Sequence, residues 1–245
     1  MGNPSIGFVI EKIKHNPDYQ NLFEQAFAEP VNMQNIGMAL ASYQRSLNSA
    51  NSAFDQWYYL KQKTALTLSA ERGFDLFIGK AGCVNCHHIN QEFALFTDQQ
   101  FHNTGIGYDQ SINKTTEQFK LQIAPGVFIN VDSKTIRSIS ENKPADLGVY
   151  EISQNPQDRW KYKTPSLRNI ALTAPYMHNG QFSTLEQVLA FYNQGGIKNS
   201  MLDPLLKPLG LTQIEIKDLI AFLNSLTGTN VEELVSDAFA APIGD

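Results

Sequence analysis

Two cysteines and a histidine offer the first chemistry in this 245-residue chain, in the run Cys83-Val84-Asn85-Cys86-His87. This spacing lets two thiols reach vinyl groups on one porphyrin edge and puts the next residue's imidazole under the iron. Two other chemistries use the same residue types. A thioredoxin-like redox pair expects a βαβ context, and no such pattern surrounds the motif. A zinc site needs two further Cys or His ligands at compatible spacing, and the chain holds no second cysteine pair. The motif therefore predicts one covalent haem c on Cys83 and Cys86, with His87 as the proximal iron ligand. His88 reads as a surface residue, and His15, His102 and His178 as hydrogen-bonded structural ones. The sixth iron ligand then decides between electron transfer and chemistry.

The elements that must position these residues read as mainly α. Asn16-Pro17 looks like a helix start, with Tyr19, Leu22, Phe23 and Phe27 following at helical spacing. Met33, Ile36, Leu40, Tyr43 and Leu47 fall on one face of a second helix. Phe54, Trp57 and Tyr58 suggest a third apolar face, and Lys61 to Thr67 a polar connector. Ser69 is suited to cap a helix through Phe74, Phe77 and Ile78 that ends at Gly79 and delivers the chain to Cys83. From Thr97 to Lys163 helical periodicity disappears. Phe119, Leu121 and Ile123, then Val127, Ile129 and Val131, alternate about Pro125-Gly126 and predict a small β-hairpin. Ser133 to Pro144 reads as exposed loop. Ser183-Thr184-Leu185-Glu186 and Thr212-Gln213-Ile214-Glu215 fit capping boxes. The first opens a helix to Asn193, and the second places Ile216, Leu219, Ile220 and Leu223 on one face. The last stretch, from Gly228 to Asp245, reads as a frayed tail.

Composition narrows the class. Hydrophobic residues make up 42% of the chain, enough for a real core. The formal net charge is -5 with 19 scattered Lys and Arg, which speaks against a nucleic-acid partner. No apolar run approaches the roughly 18 to 20 residues that span a bilayer. Haem c is attached outside the cytosol, so the expected compartment is the periplasm. Yet Met1-Gly2-Asn3-Pro4-Ser5 opens without a charged or apolar leader, which suggests either a signal sequence upstream or, preferred here, a portion of a longer chain.

Around the motif lie further ordered runs. Gly73-Phe74-Asp75-Leu76-Phe77 precedes it, and Phe96-Thr97-Asp98 with Phe101-His102-Asn103-Thr104-Gly105 follows. Tyr162-Lys163-Thr164-Pro165-Ser166-Leu167-Arg168-Asn169-Ile170 and Ala171-Leu172-Thr173-Ala174-Pro175-Tyr176-Met177-His178-Asn179-Gly180 complete the set. Together these resemble the C-terminal haem domain of the bacterial dihaem cytochrome c peroxidase/MauG family, from Met1 to about Gly228. The resemblance implies a cytochrome-c-like helical haem domain with long loops. It divides the chain into 1–68, completing the family's N-terminal and linking region, 69–228 as the haem domain, and 229–245 as tail. It also implies an oxidoreductase of peroxidase ancestry with hydrogen peroxide as family substrate. Its partners would be a small cytochrome c or cupredoxin, or the N-terminal haem domain that carries the peroxide-reacting haem. No catalytic residue of the peroxide pocket is identified here, because its glutamate would lie just before Met1. A stand-alone monohaem electron carrier is the alternative.

Two candidates compete for the distal position. Met177 would give a His/Met haem. The resemblance instead puts the ligand on the later helix, where counting falls on Tyr192, the residue type found in MauG-like members. Leu185, Val188, Leu189 and Tyr192 share one helical face, which agrees. The resemblance also implies a calcium ion held in part by the backbone of Thr173 and Pro175, with its side-chain ligand on the other domain. Two departures stand out. Val149 replaces a common arginine, and Lys80-Ala81-Gly82 occupies the stretch where MauG-like enzymes carry a relay tryptophan. The segment 108–143 looks longer than usual.

Overall fold

The computed structural model describes residues 5–112, 118–124, 127–132 and 146–240 and is mainly α-helical, as the residue spacing predicts. By contacts the chain divides into two compact units, 1–52 with 228–245, and 53–227. Residues 53–68 thus group with the Cys-x-x-Cys-His segment, whereas the sequence reading placed its boundary at 68.

In the first unit, α1 (Ile6–His15) is capped by Ser5, whose side chain accepts from the Phe8 N–H. Asn16 caps only a 3₁₀ turn, Pro17–Tyr19, rather than the helix expected there. The next helix, α2 (Leu22–Phe27), starts after Asn21. A reciprocal box of Asn32 and Asn35 opens α3 (Met33–Ser46). Phe23, Val31 and Ile36 form a small core, with Val9, Ile10, Ile13, Tyr19 and Phe27 packed on it. The expected α3 stripe is real as a helix face, but Met33, Leu40, Tyr43 and Leu47 on it are exposed. The frayed tail is corrected too. Val231–Ala240 forms α10, and the Asn230 amide donates to the Asn48 carbonyl at 2.8 Å, tying this return segment to the first unit. Glu232 and Glu233 in its first turn suit the positive end of a helix dipole.

The second unit is built on α5 (Leu68–Ile78) and α9 (Gln213–Asn224). Thr67, not Ser69, caps α5. Ser69 donates instead to the Asp218 carboxylate at 2.5 Å, beside the bidentate Arg72–Asp218 pair. The two helices touch at Gly73, where any Cβ would strike the Asp218 carbonyl and Phe222. That contact requires glycine. Below it, Phe222 packs on Phe74, Phe77, Phe96 and Phe54, the last supplied by α4 (Ala53–Tyr58). The Thr212 box with Glu215 opens α9 as expected.

Two short helices, α6 (Ile106–Ile112) and α7 (Tyr150–Ser153), interrupt the region read as non-helical. At one and two turns, they are too short to show helical periodicity. The hairpin is present as β2 (Gln118–Ala124) antiparallel to β3 (Val127–Asp132), with Phe119 opposite Val131 and Leu121 opposite Ile129. Its turn at Pro125-Gly126 and the loop expected over 133–144 lie outside the described residues. A second two-stranded pairing joins β1 (Phe101–His102) to β4 (Tyr162–Lys163). Finally, α8 (Leu185–Asn193) opens on a box of Thr184 and Gln187, one residue later than read from the sequence.

Candidate haem-binding site

Helix α5 ends at Gly79, whose N–H returns to the Asp75 carbonyl, and Gly82 turns the chain at a φ of 61° into a 3₁₀ turn, Cys83–Asn85. The His87 N–H bonds the Cys83 carbonyl at 2.9 Å, so both cysteines and the histidine share one tight turn. Both cysteines are free thiols and partly buried. Burial pushes the Cys83 thiol up to about 12 and Cys86 up to about 11, the latter helped by the carboxylates of Asp98 and Asp203. Such thiols are protonated at neutral pH, which is the opposite of a reactive redox pair.

His87 is held from behind. Its Nδ1 lies 2.7 Å from the Phe96 carbonyl, which can only accept, so Nδ1 carries the proton. Nε2 is then left with its lone pair, and among the described residues it has no partner. Burial first lowers the His87 pKa, against the Phe96 carbonyl, which raises it. The result favours the neutral imidazole, the form that ligates metal. Two free thiols and an oriented, neutral imidazole on one turn fit a covalently attached haem.

Tyr192 sits on α8 one turn beyond the buried Leu185 and Leu189, with Val188 packed on the same core. Its pKa is raised, first by burial and then by the charges of Cys83 and Cys86, so the phenol lies within electrostatic range of both cysteines. A core tyrosine normally gives its hydroxyl a partner. Tyr59 does so to the Asn90 carbonyl and Tyr176 to the Ile170 carbonyl. Among the described residues the Tyr192 hydroxyl has none. Met177 has a φ of 70° and, like Tyr192, is half-buried and outside the core that packs Cys83, Val84 and Val188.

The other histidines behave as structural residues. His15 bonds the Glu11 carbonyl and His88 the Asn85 carbonyl. The His178 ring stacks on Tyr162 at 3.6 Å. His102 is clamped between Asp203 at 2.6 Å and Asp98 at 2.9 Å, so both ring nitrogens are taken. Cys86, Asp98 and His102 are close enough to share a metal. The occupied nitrogens of His102 and the high pKa of Cys86 speak against that use. No cluster of three or more His, Cys, Asp or Glu residues lies near Thr173 and Pro175 among the described residues. Backbone carbonyls alone make a poor calcium site. The sequence reading missed Phe96, Asp98 and Asp203 as partners of this region. Phe96-Thr97-Asp98 stood out as a motif, but a backbone acceptor leaves no side-chain signal.

A helical unit that delivers a Cys-x-x-Cys-His turn with a carbonyl-oriented imidazole is the architecture of a c-type cytochrome. The family model of di-haem cytochrome c peroxidase matches residues 1–64. Cytochrome-c peroxidase IdrP1 of Denitromonas iodatirespirans is 36% identical over 96% of this chain and 61% of its own length. The methylamine utilization protein MauG of Methylorubrum extorquens is 35% identical over 91% of this chain and 53% of its own. Among solved structures, a MauG-like protein associated with microbial copper homeostasis has a TM-score of 0.64 at 30% identity, covering 97% of this chain and 65% of that one. The diheme peroxidase BthA of Burkholderia thailandensis, with a TM-score of 0.63, covers 94% of this chain and 60% of that one and at 22% identity shares the fold. The chain belongs to the di-haem cytochrome c peroxidase and MauG family, and spans only 61% and 53% of the first two relatives' lengths.

Proposed function

We propose that this chain is the C-terminal haem portion of a periplasmic peroxidase-family oxidoreductase, acting on hydrogen peroxide together with an N-terminal haem domain or a small redox protein. Cys83 and Cys86 supply the two thioethers, His87 Nε2 the proximal ligand and Tyr192 the distal one. When bound, the haem supplies one-electron redox chemistry. The chain's own residues set its character. Phe96 fixes the tautomer of His87 through Nδ1, and Tyr192 offers a phenol that must lose its proton to ligate. A phenolate is a hard anionic donor and favours ferric and higher oxidation states over ferrous. That suits holding an oxidising equivalent better than relaying electrons at high potential.

The observation that carries this reading is the half-buried Tyr192 phenol near both cysteines, whose hydroxyl has no partner among the described residues. The likeness to named peroxidases runs against a stand-alone electron carrier. Calcium at Thr173 and Pro175 would need a carboxylate in addition to their backbone carbonyls. The test of attachment is direct. Protein matured with c-haem assembly should keep its haem through acid-acetone extraction, and Cys83→Ala with Cys86→Ala should release it. Haem extracted from the wild type would overturn the assignment.

A further inference from the structure

The run Thr164-Pro165-Ser166-Leu167-Arg168 makes no hydrogen bond to either cysteine or His87 among the described residues, yet its arginine is largely sequestered from solvent. The Arg168 and Asp55 side chains are only 11% and 14% exposed. Nη1 and Nη2 of Arg168 each lie 2.7 Å from one oxygen of the Asp55 carboxylate. The third edge of the guanidinium is used elsewhere, where Nε donates to the Ala94 carbonyl at 2.7 Å. The guanidinium also lies 5.3 Å from the centre of the Phe96 ring. One residue further, the Thr97 hydroxyl donates to the Thr164 carbonyl at 2.7 Å. The segment from Ala94 to Thr97 is therefore gripped at three points by the Thr164–Arg168 run.

Between those points lies the Phe96 carbonyl that accepts from His87 Nδ1. Phe96 has a φ of 54°, a left-handed conformation costly for a side-chain-bearing residue. Such a peptide persists only where its surroundings over-determine it. The grip supplies that. Arginine suits the task because its planar fork serves a carboxylate bidentately and still leaves Nε to donate. Lysine, a single point of donors on a flexible stem, cannot hold both partners in that geometry.

We propose that Arg168, anchored by Asp55, is a positioning residue for His87. It holds Ala94–Thr97 so that the Phe96 carbonyl meets Nδ1, and thereby sets the tautomer and donor strength of the imidazole toward iron. Outer partners of this kind are known to raise ligand basicity. The proposal rests on the haem reading above.

The test uses haem-loaded full chain and compares wild type with Arg168→Lys, which keeps the charge, and Asp55→Asn, which keeps the shape. Two readouts are taken, the solvent exchange of the hyperfine-shifted His87 Nδ1 proton by paramagnetic NMR and the midpoint potential. Arg168→Lys should speed exchange by about 10-fold or more. It should also raise the potential, since a less firmly hydrogen-bonded imidazole donates less to ferric iron. Wild-type exchange and potential in folded, haem-loaded Arg168→Lys would overturn the proposal. If that variant fails to load haem, Asp55→Asn decides by the same two readouts, and unchanged values again overturn it. A wild type without any hyperfine-shifted His87 signal overturns the haem reading itself, which separates the two failures.

Discussion

The two units end in different kinds of incompleteness. In 53–227 the core is closed. Phe54, Phe77, Phe96, Phe222 and Leu226 are at most 1% exposed, and near the Cys83 turn the Nε2 of His87 and the hydroxyl of Tyr192 have no partner among the described residues. In 5–52 with 228–240 the polar groups at helix ends are well met, by Ser5 and by the Asn32–Asn35 box, and what is left over is apolar. Met33 is 64% exposed and Leu40 57%. The lone pair and the phenol left without protein partners are both groups that can ligate haem iron. A leftover apolar stripe says only that the helix face is not covered by the described residues of its own unit.

The contrast can be broken by stability measurements. Phe222→Ala removes the ring that touches Phe54, Phe74, Phe77 and Phe96, and should cost about 3–5 kcal/mol in chemical denaturation. A loss below 1 kcal/mol, on the scale of ordinary surface changes, would mean that this core does not hold the Cys83 turn.

A smaller effect should follow pH. Burial lowers the pKa of His102, but hydrogen bonds and charge from Asp203 and Asp98 outweigh it, so the net shift is upward. A raised folded pKa gives stability that is complete below the unfolded value and is lost as pH rises through the folded one. Asp98 shifts the other way. Burial raises it, but the Gln100 N–H and His102 outweigh that, so its contribution is lost as pH falls through its lowered folded value. Denaturation midpoints should therefore drop from near-neutral toward alkaline pH, and His102→Gln should flatten that limb. An unchanged pH profile in the variant would show that the clamp is not what titrates.

The smallest effect belongs to the first unit. Leu40→Ala should change stability by no more than about 0.5 kcal/mol. A loss of 2 kcal/mol or more, the range of core truncations, would show that the stripe is covered in solution.

How far the sequence could be read follows the same division. Local signals were legible. The Thr212–Glu215 box, the Gly79 stop, the hairpin alternation and the Cys-x-x-Cys-His turn all depend on residues within a few positions of one another. The errors came where a distant partner decides. Ser69 reads as a cap, but a carboxylate 149 residues away takes its hydroxyl. Ser183 yields to Thr184 as cap because the Gln187 side chain closes the box. The α3 spacing correctly gave a helix and could not say what covers its face. Arg168 lies 113 residues from Asp55, and no local pattern joins them. Tyr192 could be placed on an apolar face from spacing, but the lack of a partner for its hydroxyl only the fold reveals.

The distal ligand is the point on which the account turns, and a ferric spectrum of purified, haem-loaded protein tests it most directly. A Tyr192 phenolate should show a tyrosinate-to-iron charge-transfer band and no near-infrared sulfur-to-iron band. Tyr192→Phe should remove the first, free the sixth position and raise the potential, while Met177→Leu should leave the spectrum unchanged. A sulfur-to-iron band in the wild type, abolished by Met177→Leu, would contradict the assignment and make this haem a relay of electrons.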